Sequence, residues 1–222
     1  MSALRLEAFR GQHGSADLQS RLASYSFVDT PAVAAFYALN PNDRTHQDVV
    51  TCASLMHCEL VIENPLTGEG SDPFVEFVDL EKKVGTAVAT RLMLRHADHA
   101  MSTSAWDELF SGRYSSLQAL VEDQPEQLKE LYLQVWPLLD HPDSVADLQQ
   151  AGIDGAVYRG SGVSMNAVEY RVFDLSQVKV VQTFQNLPAF LSEEEVMKGV
   201  ELDLTLRPLP TAPPKPRAPR FA

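Results

Sequence analysis

Leu4, Leu6 and Ala8 alternate with Arg5, Glu7 and Phe9, and Arg10 continues the leucine side. A period of two predicts a strand, which Gly11 and Gly14 bring to a turn. A second short strand, Tyr25–Val28, runs into Asp29-Thr30-Pro31, where either Asp29 or Thr30 caps a helix that has proline in its first position. That helix ends at Asn40-Pro41. Residues 59–63 and 74–80 read as two further strands around a turn at Asn64-Pro65 and Gly68. From about residue 82 the period changes: Val84, Val88 and Leu92 are spaced by four, and Leu128, Leu131, Val135 and Leu138 follow a similar stripe. The middle of the chain is therefore expected to be helical. After Gly152, residues 153–158, 167–173 and 178–181 are rich in β-branched and aromatic side chains and predict three closing strands. Ser192 followed by Glu193–Glu195 marks the capped start of a final helix within 187–201.

Composition adds a bound and an asymmetry. The 222 residues fit one large domain or two small ones. No apolar run approaches the roughly 20 residues that span a bilayer, and the opening MSALRLEAFRGQHG has no hydrophobic signal core. The expectation is a soluble protein without a membrane partner, in the cytoplasm of the producing cell or of a targeted host. Two cysteines, Cys52 and Cys58, make no disulfide framework. The net charge is −12, but residues 207–222 hold four basic residues, no acid and six prolines, which leaves −16 on residues 1–206. Such a stretch reads as an extended, disordered basic arm on an acidic body. The acidic body disfavours non-specific nucleic-acid binding as the main activity.

The common nucleotide motifs are missing. Gly160-Ser161-Gly162 lies between two strands instead of opening a helix, and there is no GxxxxGK[ST] loop and no GxSxG elbow. Cys52, His57 and Cys58, and the pair His96 and His99, lack zinc spacing, so no metal is expected. His96 extends an apolar stripe to a helix end, where a cationic ring favours the dipole. Trp106, Tyr132 and Trp136 read as core aromatics.

Three segments carry candidate chemistry. In Phe9-Arg10-Gly11-Gln12 a guanidinium stands at the end of an apolar strand face, and the glycine lets a ligand approach the backbone. Ser26-Phe27-Val28-Asp29-Thr30-Pro31 places a hydroxyl at a strand end, with Tyr37 on the helix behind it. In Asn166-Ala167-Val168-Glu169-Tyr170-Arg171-Val172-Phe173 the carboxylate of Glu169 opposes the face of Val168, Tyr170 and Val172. Taken together and in this order, the segments resemble the ADP-ribosyltransferase family. AGIDGAVYRGSGVSMNAVEYRVFDLSQVKVV looks like that family's last strands in the poly-ADP-ribose polymerases and the phage-encoded transferases. SFVDTPAVAAFYA resembles its strand-helix segment, HCELVIENPL resembles a strand ending in Asn-Pro-Leu, and AFRGQ matches the first-strand motif in its arginine form. His13-Gly14-Ser15 offers a competing first motif in the histidine form; Arg10 is preferred because the strand pattern runs directly into it.

The resemblance covers roughly residues 4–80 and 150–182. It implies an α+β fold with an ADP-ribosyltransferase-like split β core in residues 1–206, interrupted by a helical insertion at about 82–148. It further implies a glycosyltransferase reaction in which NAD is cleaved, nicotinamide leaves and ADP-ribose passes to a macromolecular acceptor, protein or nucleic acid, as in phage effectors and toxins. On this reading Arg10 clasps the NAD pyrophosphate, with Gly11 beside it. Ser26 supports the pocket, Tyr37 stacks on nicotinamide, and Glu169 binds the nicotinamide ribose 2′-hydroxyl and stabilises the oxocarbenium-like charge. Ala167 stands where arginine-modifying members carry Glu or Gln, so arginine is not the expected acceptor. The loop 159–166 is expected to be mobile and to face the acceptor. Two rival readings share the fold: an NAD glycohydrolase, in which water replaces the acceptor, and a catalytically silent binding module.

Overall fold

The computed structural model describes residues 3–13, 18, 20, 22–40, 53–68, 70–185, 187, 191–202 and 204. Cys52 and the basic arm 207–222 lie outside them. The protein is α+β. Six strands, β1 (Leu4–His13), β2 (Tyr25–Val28), β3 (Ala53–Ile62), β6 (Gly155–Arg159), β7 (Val168–Val172) and β8 (Val178–Phe184), form an antiparallel sheet in the order β6-β7-β2-β1-β3-β8. Helix α1 (Pro31–Leu39) connects the second strand towards the third, with Pro31 in its first turn and Asn40 at its C-cap. Thr30 occupies the N-cap but makes no side-chain cap; its hydroxyl donates to Asp29, whose carboxylate accepts from the Val168 amide.

The helical insertion begins earlier than its spacing suggests. Residues 74–80 are not one strand: β4 (Phe74–Glu76) is followed directly by α2 (Phe77–Val84), because Phe77 and Leu80 fall on one buried helical face. Next come α3 (Thr86–Arg95), α4 (Ala97–Met101), α5 (Ser104–Leu109) and α6 (Leu117–Asp123). The stripe of Leu128, Leu131, Val135 and Leu138 is buried, but it spans a 3₁₀ turn (Pro125–Glu130), strand β5 (Tyr132–Gln134) paired with β4, and α7 (Val135–Asp140). Helix α8 (Pro142–Gln150) completes the insertion, and α9 (Glu193–Met197), capped by Ser192 with Glu195 returning the bond, is the final helix expected within 187–201. Trp106 is core, whereas Trp136 is 39% exposed.

Strand β1 does not turn at Gly11. It stays in register with β3 through Gly11↔Leu55 to His13↔Ala53, and glycine is needed there for a different reason. A Cβ on Gly11 would sit 1.8 Å from the Ala34 carbonyl oxygen of α1, so its absence lets the helix lie directly on the strand.

The six-stranded sheet is narrow at one joint. The half-sheets β6-β7-β2 and β1-β3-β8 meet through one registered pair, Phe9↔Val28. Alternation then assigns the faces. Leu6, Ala8 and Arg10 share one face with Met56, Cys58, Phe27, Tyr170 and Val157, the centre of one apolar cluster. The row Phe9, Val28, Glu169 and Tyr158 lies on the other, covered by α1 on one side and by the insertion on the other.

Candidate functional site

Glu169 stands on β7 at the mouth of this second face. Opposite it are Val28 on β2 and Tyr158 on β6. The Ser164 hydroxyl donates to Glu169 Oε1 at 2.6 Å. Ser164 is fully buried, and the chain arranges it closely. It ends a 3₁₀ turn (Gly162–Ser164) capped by Ser161, whose amide donates to Ser164 Oγ at 3.2 Å. Gly162 adopts a φ of +59°, and a Cβ on Gly160 would come within 2.3 Å of the Ser164 carbonyl oxygen. Glycine at 160 and 162 lets the loop wind tightly around Ser164.

Tyr37 meets the same group from α1. Burial raises the pKa of its phenol, Ser164 pulls it back down, and the negative charge of Glu169 adds to the rise. Tyr37 as a whole is 38% exposed. Tyr37 and Glu169, 132 positions apart in the chain, are thus brought within each other's electrostatic reach.

Behind Glu169 lies a charged network that the sequence reading missed. Arg171, two residues on and therefore on the same face, is 6% exposed. Its Nε donates to Tyr158 Oη at 3.1 Å, and its Nη1 donates to Ser24 Oγ at 3.2 Å and to Asp140 Oδ1 at 2.7 Å. Desolvation pulls the guanidinium pKa down, but Tyr158, Asp140 and Glu169 outweigh it and the net direction is up. Tyr158 is 2% exposed, stands opposite Glu169 in the strand register, and has its phenol pKa raised, first by burial. Period-two parity was the available signal for Arg171, since Glu169 and Arg171 must share a face.

Arg10 is placed elsewhere. It points to the opposite face, where Nη1 donates to the Ser26 carbonyl at 2.7 Å and the guanidinium lies 5.8 Å from the Phe27 ring centre. Burial, then the Arg171 charge, lower its pKa to about 10, which leaves it protonated at neutral pH. It bridges the two half-sheets beside their single registered pair. Ser26 contributes this backbone carbonyl, and the space beside Gly11 is filled by Ala34. His13 lies at the end of β1 instead of beyond a turn.

Elsewhere, His96 is buried with Nε2 2.8 Å from Ser144 Oγ, and burial, then His141, His99 and Arg95, lower its pKa to about 4. It is neutral at pH 7, not the cation expected from its place at the end of α3. Burial pushes the Cys58 thiol up to about 11, which removes it as a nucleophile. A cleft of about 590 Å³ lined by Thr67, Phe74, Lys82, Lys83 and Tyr132 lies beyond β6, where the Ser71 carbonyl accepts from the Arg159 amide at 2.8 Å. Neither Tyr37, Ser164 nor Glu169 lines it.

Among the described residues, no group of three or more His, Cys, Asp or Glu is arranged to hold a metal ion, and no helix is long and apolar enough to cross a membrane. Comparison with protein-family models, with curated proteins and with solved structures gives no match.

Proposed function

We propose that the protein is an ADP-ribosyltransferase that uses NAD as donor, with Glu169 as its catalytic residue. The observation that carries this reading is the convergence of a carboxylate and a buried hydroxyl, with Ser164 2.6 Å from Glu169 and the partly exposed Tyr37 within the field of both. Cleaving NAD breaks the bond between the nicotinamide nitrogen and ribose C1. Nicotinamide leaves neutral, taking the bonding pair, and positive charge develops on the ribose ring. A fixed carboxylate stabilises that charge, as in glycoside hydrolysis. The acceptor nucleophile then bonds to C1 and releases its proton to solvent. In this scheme Tyr37 presents its ring to the nicotinamide and Ser164 holds the carboxylate. The scheme does not use Arg10 for the pyrophosphate, since its Nη1 donates to the Ser26 carbonyl on the other face. The ADP-ribosyltransferase architecture is supported by the narrow joint between half-sheets and by the strand-helix segment β2-α1 beside β7.

Labelled NAD tests the proposal. Wild-type protein with host lysate is expected to release nicotinamide and to label a macromolecule. Glu169→Gln should lose about 10²–10³ of that rate, near 2.7–4 kcal/mol of transition-state stabilisation, with its melting temperature unchanged. Undiminished release from Glu169→Gln overturns the assignment of the carboxylate. Free ADP-ribose without labelled macromolecule identifies a glycohydrolase, and absence of both NAD binding and turnover leaves a binding module.

A further inference from the structure

We infer that the cleft beyond β6 is a docking groove for a partner protein, held as an extended basic peptide that adds to the open edge of β4. The hydrogen-bond alternation of an antiparallel pair identifies that edge. The Pro73 carbonyl accepts from the Val135 amide at 2.9 Å and the Phe77 amide donates to the Leu131 carbonyl at 3.0 Å, so residues 73, 75 and 77 face β5. Phe74 therefore turns its N–H and carbonyl away from β5, and Glu76 does the same with its N–H. Among the described residues no other strand pairs with that side. Phe74, Val75 and Glu76 all line the cleft. Such an edge takes an extended chain through main-chain hydrogen bonds, and the side chains beside it set the preference.

Here they favour an apolar residue next to a cation. Phe74 is 42% exposed, and its ring meets Tyr132 edge to face with centres 5.3 Å apart. Tyr132 is held in turn by Ser104, their hydroxyl oxygens 3.1 Å apart. The pair forms a fixed aromatic shelf, suited to an aliphatic side chain or to the flat face of a guanidinium. Asp72, Glu76 and Asp79 line the cleft against two lysines. Both lysines are engaged within the protein: Lys82 pairs with Asp79 at 2.8 Å, and Lys83 donates to the Pro65 carbonyl at 3.0 Å. Asp72 and Glu76 have no ion pair among the described residues, which leaves two carboxylates to meet a basic chain and to repel a phosphate polymer. The Ser71 carbonyl in the cleft wall accepts from the Arg159 amide at 2.8 Å, and Ser164 follows Arg159 by five residues. That stretch spans at most about 18 Å. On the function proposed above, a partner docked here would hold its acceptor group near Glu169; the docking does not rest on that function.

The probes are a library of acetylated hexapeptides, randomised except for one fixed arginine, and a matched library with glutamate in its place, each passed over the immobilised full chain. Wild-type protein should retain the arginine library at least about tenfold better than the glutamate library. Phe74→Ala and Asp72→Lys, at unchanged melting temperature, should each lose about tenfold of that retention, and Asp72→Lys carries the test alone if Phe74→Ala does not fold. Methylating alternate backbone nitrogens of the retained peptides should weaken them by about tenfold, since main-chain donors to the β4 edge are lost. Equal retention of both libraries, or retention that neither variant moves, overturns the groove. A dimer of the protein that Phe74→Ala dissociates assigns the groove to a second copy and also overturns it. Retention of the arginine library by a wild-type protein that releases no nicotinamide upholds the docking and refutes the proposed function; nicotinamide release without retention does the reverse.

Discussion

Arg10 and Glu169 illustrate how one step of strand parity separates two roles. Both are charged, both stand on neighbouring half-sheets, and both belong to segments that carry the family resemblance. Arg10 is held at the seam by its bond to the Ser26 carbonyl and by the Phe27 ring. Arg10→Met is therefore expected to lower stability by about 1–3 kcal/mol in urea titrations, since a charged hydrogen bond is lost, with NAD affinity by calorimetry unchanged. Weaker NAD binding at unaltered stability would return Arg10 to the pyrophosphate. Glu169 and Tyr37 were legible in the sequence because each follows from a short-range rule: alternation puts Glu169 opposite Tyr170, and helix spacing puts Tyr37 behind the β2 strand end. Ser164 and Tyr158 were not, because their contact with Glu169 depends on a turn conformation and a strand register that no local pattern specifies.

The element that positions this chemistry is α1, and its seat on β1 is set by a missing side chain. Gly11→Ala would drive a methyl group into the Ala34 carbonyl, 1.8 Å away. The helix must lift, and a loss of about 3 kcal/mol is expected, read as a lower melting temperature, with Tyr37 carried away from Ser164. An alanine variant as stable as wild type would mean that the helix seats differently. The same contact explains a boundary the sequence misplaced. Glycine signals a turn when the chain reverses and a close approach when another backbone crosses it, and the two are identical in a one-dimensional pattern. The insertion failed for a related reason. Its apolar stripe from Leu128 to Leu138 is buried as expected, but the stripe is shared by a 3₁₀ turn, a strand and a helix, each too short to impose its own period.

On the scale of the whole molecule, the insertion has its own core and its own acid sensitivity. His96 packs beside His141 and Ser144 with its pKa depressed to about 4. The unfolded chain takes up a proton near the ordinary histidine value while the folded protein does not, so this contribution is complete above about pH 6.5 and is lost as pH falls towards 4. The loss is at most about 3 kcal/mol. Denaturant titrations at pH 7 and pH 4.5 should show His96→Gln losing less stability on acidification than wild type; equal losses would refute this origin. The sheet order carries a consequence in time. Strands β1, β2 and β3 come from the first third of the chain, yet β2 finds its outer neighbour only when β7 has been made, after the entire insertion. On the ribosome, with earlier segments collapsing first, Tyr37 waits through the synthesis of 132 further residues before Glu169 is made. On the proposed function, a nascent chain would be unable to consume the dinucleotide pool of the cell that makes it until synthesis has passed β7.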